Sequence, residues 1–159
     1  MKALDTNVLA RFFVDDPDDA QAVKQRPAAI AAMSGRAFVS VTVLLEFEWV
    51  MRGFYALPRR DVAAVMRALA GIEHISIENR EAVLTALAAF EQGIDFADAL
   101  HISRSVRAAA FTTFDRRLAK RAMALAMAPS IELLGRRNIG SEKRGSRITS
   151  AAPGTGRSS

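Results

Sequence analysis

Short runs of strand-forming residues alternate with longer segments of helical periodicity through most of this chain. In the first helical segment, for example, Val8, Leu9 and Phe12 recur at the spacing of one helix face. Strands that alternate with helices are joined by right-handed crossovers, which build a parallel sheet that helices cover on both faces. The sequence therefore predicts one α/β domain with a parallel sheet.

The predicted strands are short, and the predicted helices are of ordinary length. Strands are expected at residues 3–4, 37–41, 74–77, 110–113 and 131–134, and helices at 8–13, 20–33, 43–55, 61–70, 80–91, 95–106 and 116–124. Pro27 is expected to kink or split the second helix, because proline lacks the backbone N–H that bonds to the preceding turn. Thr42 is expected to cap the third helix.

Length and composition are those of a single domain without covalent cross-links. With 159 residues, of which 50% are hydrophobic, the chain can bury a substantial core. No apolar stretch reaches the roughly 18 residues expected of a membrane span, and the N-terminus does not resemble a signal peptide. Because there is no cysteine, disulfides, thiolate nucleophiles and Cys-ligated zinc are excluded. A cytoplasmic location is the expectation.

Residues 135–159 form a tail of different composition, rich in Gly, Ser and Arg. The tail carries six basic residues and one acidic residue of the chain totals of 22 and 17, so residues 1–134 hold 16 of each and are neutral. The few apolar residues of the tail cannot bury enough surface to offset the conformational entropy lost on ordering. The sequence therefore predicts a folded domain at residues 1–134 and a disordered tail at residues 135–159. An RNA-binding arm and a dispensable extension are both consistent with this composition.

Four acidic residues interrupt apolar runs near the predicted strand ends. Asp5 directly follows the first strand, Asp115 follows the fourth, and Glu46 lies about one helical turn past the second. Asp98 lies in the first turn of its helix, where the helix dipole favours a carboxylate. Because the carboxyl ends of parallel strands meet at one edge of a sheet, these four residues are expected to converge there.

Such a cluster would be unstable without cations. Removing an unpaired carboxylate from water costs several kcal/mol, and two carboxylates about 4–5 Å apart repel by roughly 3–4 kcal/mol at an effective dielectric near 20. No Lys or Arg stands inside the same apolar runs. A shared divalent cation would remove the difficulty, and ligation by oxygen alone favours Mg²⁺ or Mn²⁺ over zinc. The residues thus predict a metal-dependent enzyme.

The same residues, in this order, resemble the motifs of the PIN-domain nucleases, and within them most closely the VapC toxins of type II toxin–antitoxin modules. The motifs are Leu4-Asp5-Thr6-Asn7-Val8-Leu9, the helix around Glu46, Asp95-Phe96-Ala97-Asp98-Ala99-Leu100 and Thr113-Phe114-Asp115. The resemblance covers residues 1 to about 134. It implies a three-layer α/β/α sandwich with a central parallel sheet, and a Mg²⁺-dependent endoribonuclease of RNA that is usually a homodimer held inactive by a cognate antitoxin.

The resemblance also implies which residues act. The acidic quartet carried over by position is Asp5, Glu46, Asp98 and Asp115, and Thr113 corresponds to the hydroxyl residue two positions before the last acid. Asp5, Asp98 and Asp115 would mainly hold the metal, while Glu46 would orient a bound water or a second ion. Glu48 shares the helix of Glu46 and remains an alternative to it.

Other interpretations of the same residues stay open. Asp5, Asp95 and Asp115 are each placed to cap a helix, which alone would explain an acidic residue there. A phosphatase of the haloacid-dehalogenase type also begins with a strand and an Asp, but it needs a second Asp where this chain has Asn7. A non-catalytic RNA- or protein-binding module on the same fold is a further alternative. The basic face of residues 116–121 suits either an RNA backbone or solvent.

Overall fold

The structure is a computed structural model, and it describes residues 1–135. The predicted disordered tail, apart from Gly135, lies outside the described residues. No helix within residues 1–135 is both long enough and apolar enough to cross a bilayer.

Strands and helices alternate along the described chain as predicted. The strands are β1 (Lys2–Ala3), β2 (Ala37–Val39), β3 (Ile75–Ile77), β4 (Ala110–Thr113) and β5 (Ser130–Leu133). The α-helices are α1 (Thr6–Phe13), α2 (Ala20–Met33), α3 (Val41–Trp49), α4 (Arg59–Ala70), α5 (Arg80–Glu91), α6 (Phe96–Arg104) and α7 (Arg116–Ala124). A π-helical segment, Val50–Phe54, continues α3 without a break.

Every strand pair is parallel, which confirms the predicted sheet type. β2 lies between β1 and β3, with Ala37 opposite both Lys2 and Ile75. β4 and β5 pair in register from Ala110 opposite Ser130 onward, as a second hydrogen-bonded set. Helices flank these strands, and the architecture is the predicted three-layer α/β/α sandwich.

The core is built from the inner faces of the helices and from β2. Phe47, Phe90 and Phe96 are fully buried, and the rings of Phe90 and Phe96 meet edge to face with centroids 6.0 Å apart. Arg59 holds the loop between α5 and α6 in place. Its Nη1 donates to the carbonyls of Phe90 and Ile94 at 2.7 and 2.8 Å. The residues that enter α6 are therefore held firmly against the core.

Two local expectations were wrong. Pro27 does not split α2, which runs unbroken from Ala20 to Met33. Proline removes only its own N–H from the ladder, and α2 is secured at its start by Asp19, whose Oδ1 accepts from two backbone N–H groups. The N-cap of α3 is Ser40 rather than Thr42, because β2 ends at Val39 and the chain turns into the helix directly afterwards.

The long helix predicted over 43–55 changes type halfway. It is α-helical from Val41 to Trp49 and π-helical from Val50 to Phe54. The wider turn places Arg52 where it reaches both Glu48 in α3 and Asp95 at the start of α6. A π-helical turn is often found close to a functional site.

Candidate active site

Three of the four predicted acids lie at helix N-termini. Asp5 caps α1 by accepting from the Val8 N–H at 3.1 Å, and Asp115 caps α7 by accepting from two N–H groups at 2.9 Å. Asp98 lies in the first turn of α6, whose cap is Asp95. Within residues 1–135, Asp5 and Asp115 use only Oδ1 for capping, so Oδ2 of each is left for a ligand. Capping and ligand binding are thus compatible.

The expectation that these acids are withdrawn from water was wrong for three of them. Asp5, Glu46 and Asp115 are exposed, and only Asp98 is partly buried. Leu4 and Phe47, which adjoin Asp5 and Glu46, are buried, whereas Phe114, which adjoins Asp115, is exposed. The carboxylate that is buried is Glu48, and its charge is compensated by Arg52 at 2.6 Å.

One cavity brings Asp98 and Asp115 together. Its volume is about 220 Å³, and its lining includes Asp95, Asp98, Asp115, Arg117 and Arg121. Asp95 and Asp98 come from the start of α6, Asp115 is the N-cap of α7, and both arginines belong to α7. Arg121 donates to the Gly93 carbonyl, so it also ties α7 to the loop before α6. The dipoles of the two helices favour negative charge at their N-termini.

Asp98 has the most perturbed carboxyl group of the site. Burial raises the pKa of Asp98, and the negative charges of Asp95 and Asp115 raise it further, while His101 opposes the shift. Desolvation and like charges both disfavour the ionised form. Burial and two neighbouring carboxylates therefore both disfavour ionisation of Asp98, and a bound cation would favour it.

Glu46 and Glu48 have different partners although they share α3. Glu46 Oε2 accepts a hydrogen bond of 2.5 Å from the Thr6 hydroxyl, which places its carboxylate next to the residue that follows Asp5. Glu48 is buried and bonded to Arg52, which also reaches Asp95 Oδ2 at 3.4 Å. Glu46 is thus linked to the first residue of α1, and Glu48 is linked through Arg52 to the start of α6.

Thr113 acts on the backbone beside Asp115. Its Oγ1 accepts from the Asp115 N–H at 3.0 Å, and its carbonyl accepts from the Leu134 N–H at 2.8 Å. The hydroxyl therefore fixes the turn that ends β4 and begins α7. The side chain supports the position of Asp115 through this hydrogen bond.

The four predicted acids do not form one metal-binding group in this structure. Asp5 lines a separate cavity of about 360 Å³ between α1 and α2, together with Asn7 and Arg11. Among residues 1–135, no three Asp, Glu, His or Cys side chains lie close enough together to hold a metal ion. Asp98 and Asp115 share one cavity, while Asp5 and Glu46 are linked only through Thr6.

The chemistry of the donors nevertheless fits a hard divalent cation. The acidic cavity offers carboxylate oxygens and neither thiolate nor imidazole, which is the ligand set that Mg²⁺ prefers. Burial, with the negative charges of Asp95 and Asp115, raises the pKa of Asp98 in the same cavity, and a bound cation would counteract that shift.

Sequence reasoning missed two residues that organise this region. Thr6 holds Glu46 from a distance of 40 positions in the chain, and Arg52 joins Glu48 to Asp95 across 43 positions. The polar Thr6 at the start of an apolar helix was a visible signal, but nothing in the sequence named its partner. Arg52 stands four residues after Glu48, and that spacing alone predicts their ion pair.

Comparison with known proteins gives the family. Residues 2–123, most of the chain, match the PIN domain. No curated protein and no solved structure gave a significant match. PIN domains are generally nucleases, so the match supports a hydrolase that acts on nucleic acid. With its parallel strands, its flanking helices and this match, the chain belongs to the PIN-domain family.

Proposed function

We propose that this protein is a Mg²⁺-dependent endoribonuclease and the toxin of a type II toxin–antitoxin module. The observation that carries the proposal is the cavity shared by Asp98 and Asp115, because its lining combines three carboxylates with Arg117 and Arg121. Carboxylates can hold a cation, and arginines can hold the oxygens of a phosphodiester. Both are needed to hydrolyse an RNA backbone.

The residues of the proposed site have different roles. Asp98 and Asp115, which share a cavity, would hold Mg²⁺, for which Mn²⁺ is expected to substitute. Asp5, which lines a separate cavity, is added to this set only because the resemblance implies it. When bound, the ion supplies Lewis-acid activation of the phosphodiester and of a water. Arg117 and Arg121 orient the phosphate, and Glu46, held by Thr6, accepts a proton from or orients the attacking water. No histidine lines the cavity, so the side chains in its lining that could accept a proton are carboxylates.

The toxin assignment rests on the resemblance of the four acidic motifs to VapC toxins. It implies a homodimer, a cognate antitoxin protein and action in the cytoplasm, where RNA is the substrate. Residues 1–134 would be the nuclease domain, and the basic tail would be an accessory to it. The test is genetic: expression of the chain should arrest growth, and co-expression of the adjacent open reading frame should restore it. Growth that is unaffected by the chain alone would contradict the toxin assignment.

The nuclease assignment is tested by cleavage of RNA with purified protein. Excess EDTA should abolish cleavage, and Mg²⁺ or Mn²⁺ should restore it. Asp98→Asn should reduce the cleavage rate by orders of magnitude, because it removes a charged ligand while keeping size. Asp95→Asn is the matched control, since Asn keeps the oxygen that caps α6. Full activity in a folded Asp98→Asn protein, or in excess chelator, would refute the proposal.

A further inference from the structure

The loop at residues 92–95, which joins α5 to α6, is bonded by arginine side chains from three other elements. They come from the π-helical segment, from the start of α4 and from α7, and they are Arg52, Arg59 and Arg121. Three residues of the loop line the acidic cavity that Asp98 and Asp115 share. The loop is therefore one wall of the cavity, and the arginines fix where that wall lies.

The bond from Arg121 joins the two helices that carry the acids of the cavity. Its Nη1 donates to the carbonyl of Gly93, two residues before the N-cap of α6. Asp98 lies in the first turn of α6, and Asp115 is the N-cap of α7. A charge-assisted hydrogen bond between one helix and the start of its neighbour restricts how far the two can separate. The distance between the carboxylates of Asp98 and Asp115 is restricted with them.

Gly93 is suited to this contact in two ways. Its φ of +100° belongs to a region that glycine adopts without strain. A Cβ atom at this position would lie 3.0 Å from Arg121 Nη1, which is tighter than most contacts of real Cβ atoms. A side chain there would displace the guanidinium from the carbonyl. The bond thus depends on a residue without a side chain at position 93.

Charge alone does not account for Arg121 at this place. Arg117 lies one helical turn earlier on the same face of α7 and lines the same cavity. Either guanidinium opposes the binding of a cation by its charge. The bond to Gly93 gives Arg121 a second effect, because it holds the cavity wall. A guanidinium has five N–H donors, so this bond leaves others for the phosphate contact proposed above.

We propose that Arg121 is a positioning residue: by bonding to Gly93 it sets the separation of α6 and α7, and thereby the affinity of Asp98 and Asp115 for a divalent cation. This inference rests on the proposed metal-dependent function and adds a residue that acts through the metal ligands. Replacing side chains that orient metal ligands typically weakens metal binding by roughly 10–100-fold.

The first test measures metal binding in the absence of RNA, by titration of Mn²⁺ into the protein followed by electron paramagnetic resonance. Arg121→Gln should raise the Kd for Mn²⁺ roughly tenfold or more. Arg121→Lys keeps the charge and a donor, so it should recover part of the affinity. Arg117→Gln is the matched control, because it removes the same charge from the same helix face and keeps the bond to Gly93. It should leave the Kd unchanged or lower it.

The second test asks whether Arg121 acts through Gly93. Gly93→Ala keeps the arginine but displaces its guanidinium, so it should weaken Mn²⁺ binding to a similar extent. The double variant with Arg121→Gln should bind no more weakly than the weaker single variant, because both changes remove one interaction. Additive losses would show that the two residues act independently.

The third test measures the separation of the helices without any metal. Because the chain has no cysteine, spin labels attached at Arg104→Cys in α6 and Lys120→Cys in α7 report the distance between these exposed positions. Arg121→Gln should broaden the distribution of distances between the labels, whereas Arg117→Gln should not. Weaker Mn²⁺ binding with an unchanged distribution would contradict a positioning role.

The outcomes separate this inference from the proposed nuclease function. Equal Mn²⁺ affinity of Arg121→Gln and the parent, or equal losses in Arg121→Gln and Arg117→Gln, would overturn the inference. If the parent also cuts RNA in Mg²⁺, the nuclease function still stands. If the affinities follow the expected order but the parent cuts no RNA, the inference holds and the nuclease function fails. A parent protein that binds no Mn²⁺ would overturn both.

Discussion

Thr6 donates a hydrogen bond of 2.5 Å from its hydroxyl to Glu46, and it does so from the position directly after Asp5. The bond joins the first residue of α1 to α3, and its two residues are 40 positions apart in the chain. Thr6 itself is buried, so its hydroxyl is held by the fold while Glu46 is exposed. The orientation of the Glu46 carboxylate is therefore set by Thr6 and not by the packing of α3 alone.

Replacing Thr6 by Val should separate this role from packing. Valine fills nearly the same volume but cannot donate, so the change should cost about 1–2 kcal/mol of folding free energy and lower RNA cleavage about tenfold. Thr6→Ser keeps the hydroxyl and loses a methyl group, so it should retain most of the activity. Thermal unfolding and initial cleavage rates measure the two effects. Equal activity of the Val and Ser variants would show that the bond does not orient Glu46.

The raised pKa of Asp98 predicts a dependence of stability on pH in the absence of divalent ions. The folded protein binds this proton more tightly than the unfolded chain, whose Asp pKa is about 3.9. The contribution of Asp98 to stability is therefore fully present below that pH and is lost as pH rises through the raised pKa. In EDTA, Asp98→Asn should gain in stability relative to the parent protein as pH is raised from about 4 toward neutrality.

Glu91→Gln is a control, because its stability relative to the parent protein should change with pH in the opposite direction. The hydrogen bond from Arg67 lowers the pKa of Glu91, so its contribution is present above the unfolded pKa and is lost as pH falls. The Gln variant should accordingly lose stability relative to the parent as pH rises. Denaturation midpoints across the same pH series measure both differences. A difference between Asp98→Asn and the parent that stays constant with pH would contradict the assigned environment of Asp98.

Two ion pairs of similar geometry should differ in their effect on stability. Arg52 and Arg67 each place Nε at 2.6 Å from a glutamate, and each arginine side chain is 43% exposed. The glutamates differ, because the Glu48 side chain is 4% exposed and that of Glu91 is 36% exposed. Removing the partner of a buried charge is costly, whereas removing an exposed pair costs little.

Arg52→Met should therefore destabilise the protein by about 2–3 kcal/mol, since it leaves Glu48 buried without its partner. Arg67→Met should cost less than about 1 kcal/mol. Chemical denaturation of the two variants gives the comparison directly. Similar costs for both would mean that Glu48 is solvated or protonated in the folded protein.

Elements with complete local signals were predicted closely. The bounds of α2 and α7 follow from Asp19 and Asp115, each of which caps a helix whose periodic pattern begins at the next residue. The third helix was misread at its start, because Ser40 and Thr42 are both good caps and only the end of β2 in the sheet decides between them. Local chemistry thus fixes a boundary unless two neighbours compete for it.

The candidate site was less accessible to sequence reasoning. Charge and strand order predicted that Asp98 and Asp115 approach each other, and the structure has them lining one cavity. The choice between Glu46 and Glu48 could not be made from sequence, since it depends on Thr6 and Arg52, which reach them through the fold. The catalytic roles of Asp5, Glu46, Asp98 and Asp115 remain predictions that the variants above address.

The basic tail should add RNA affinity without contributing to the fold. Deletion of residues 136–159 removes six basic residues and leaves every proposed ligand in place. The truncated protein should unfold at an unchanged temperature and still cut RNA in Mg²⁺.

The RNA affinity of the truncated protein should fall. The slope of log K against log salt should decrease by about 0.7 for each RNA phosphate that the shortened protein no longer neutralises. A full-length variant with the six basic residues replaced by Gln separates charge from length and should behave like the deletion. A truncated protein that fails to fold would show that the domain extends beyond residue 135.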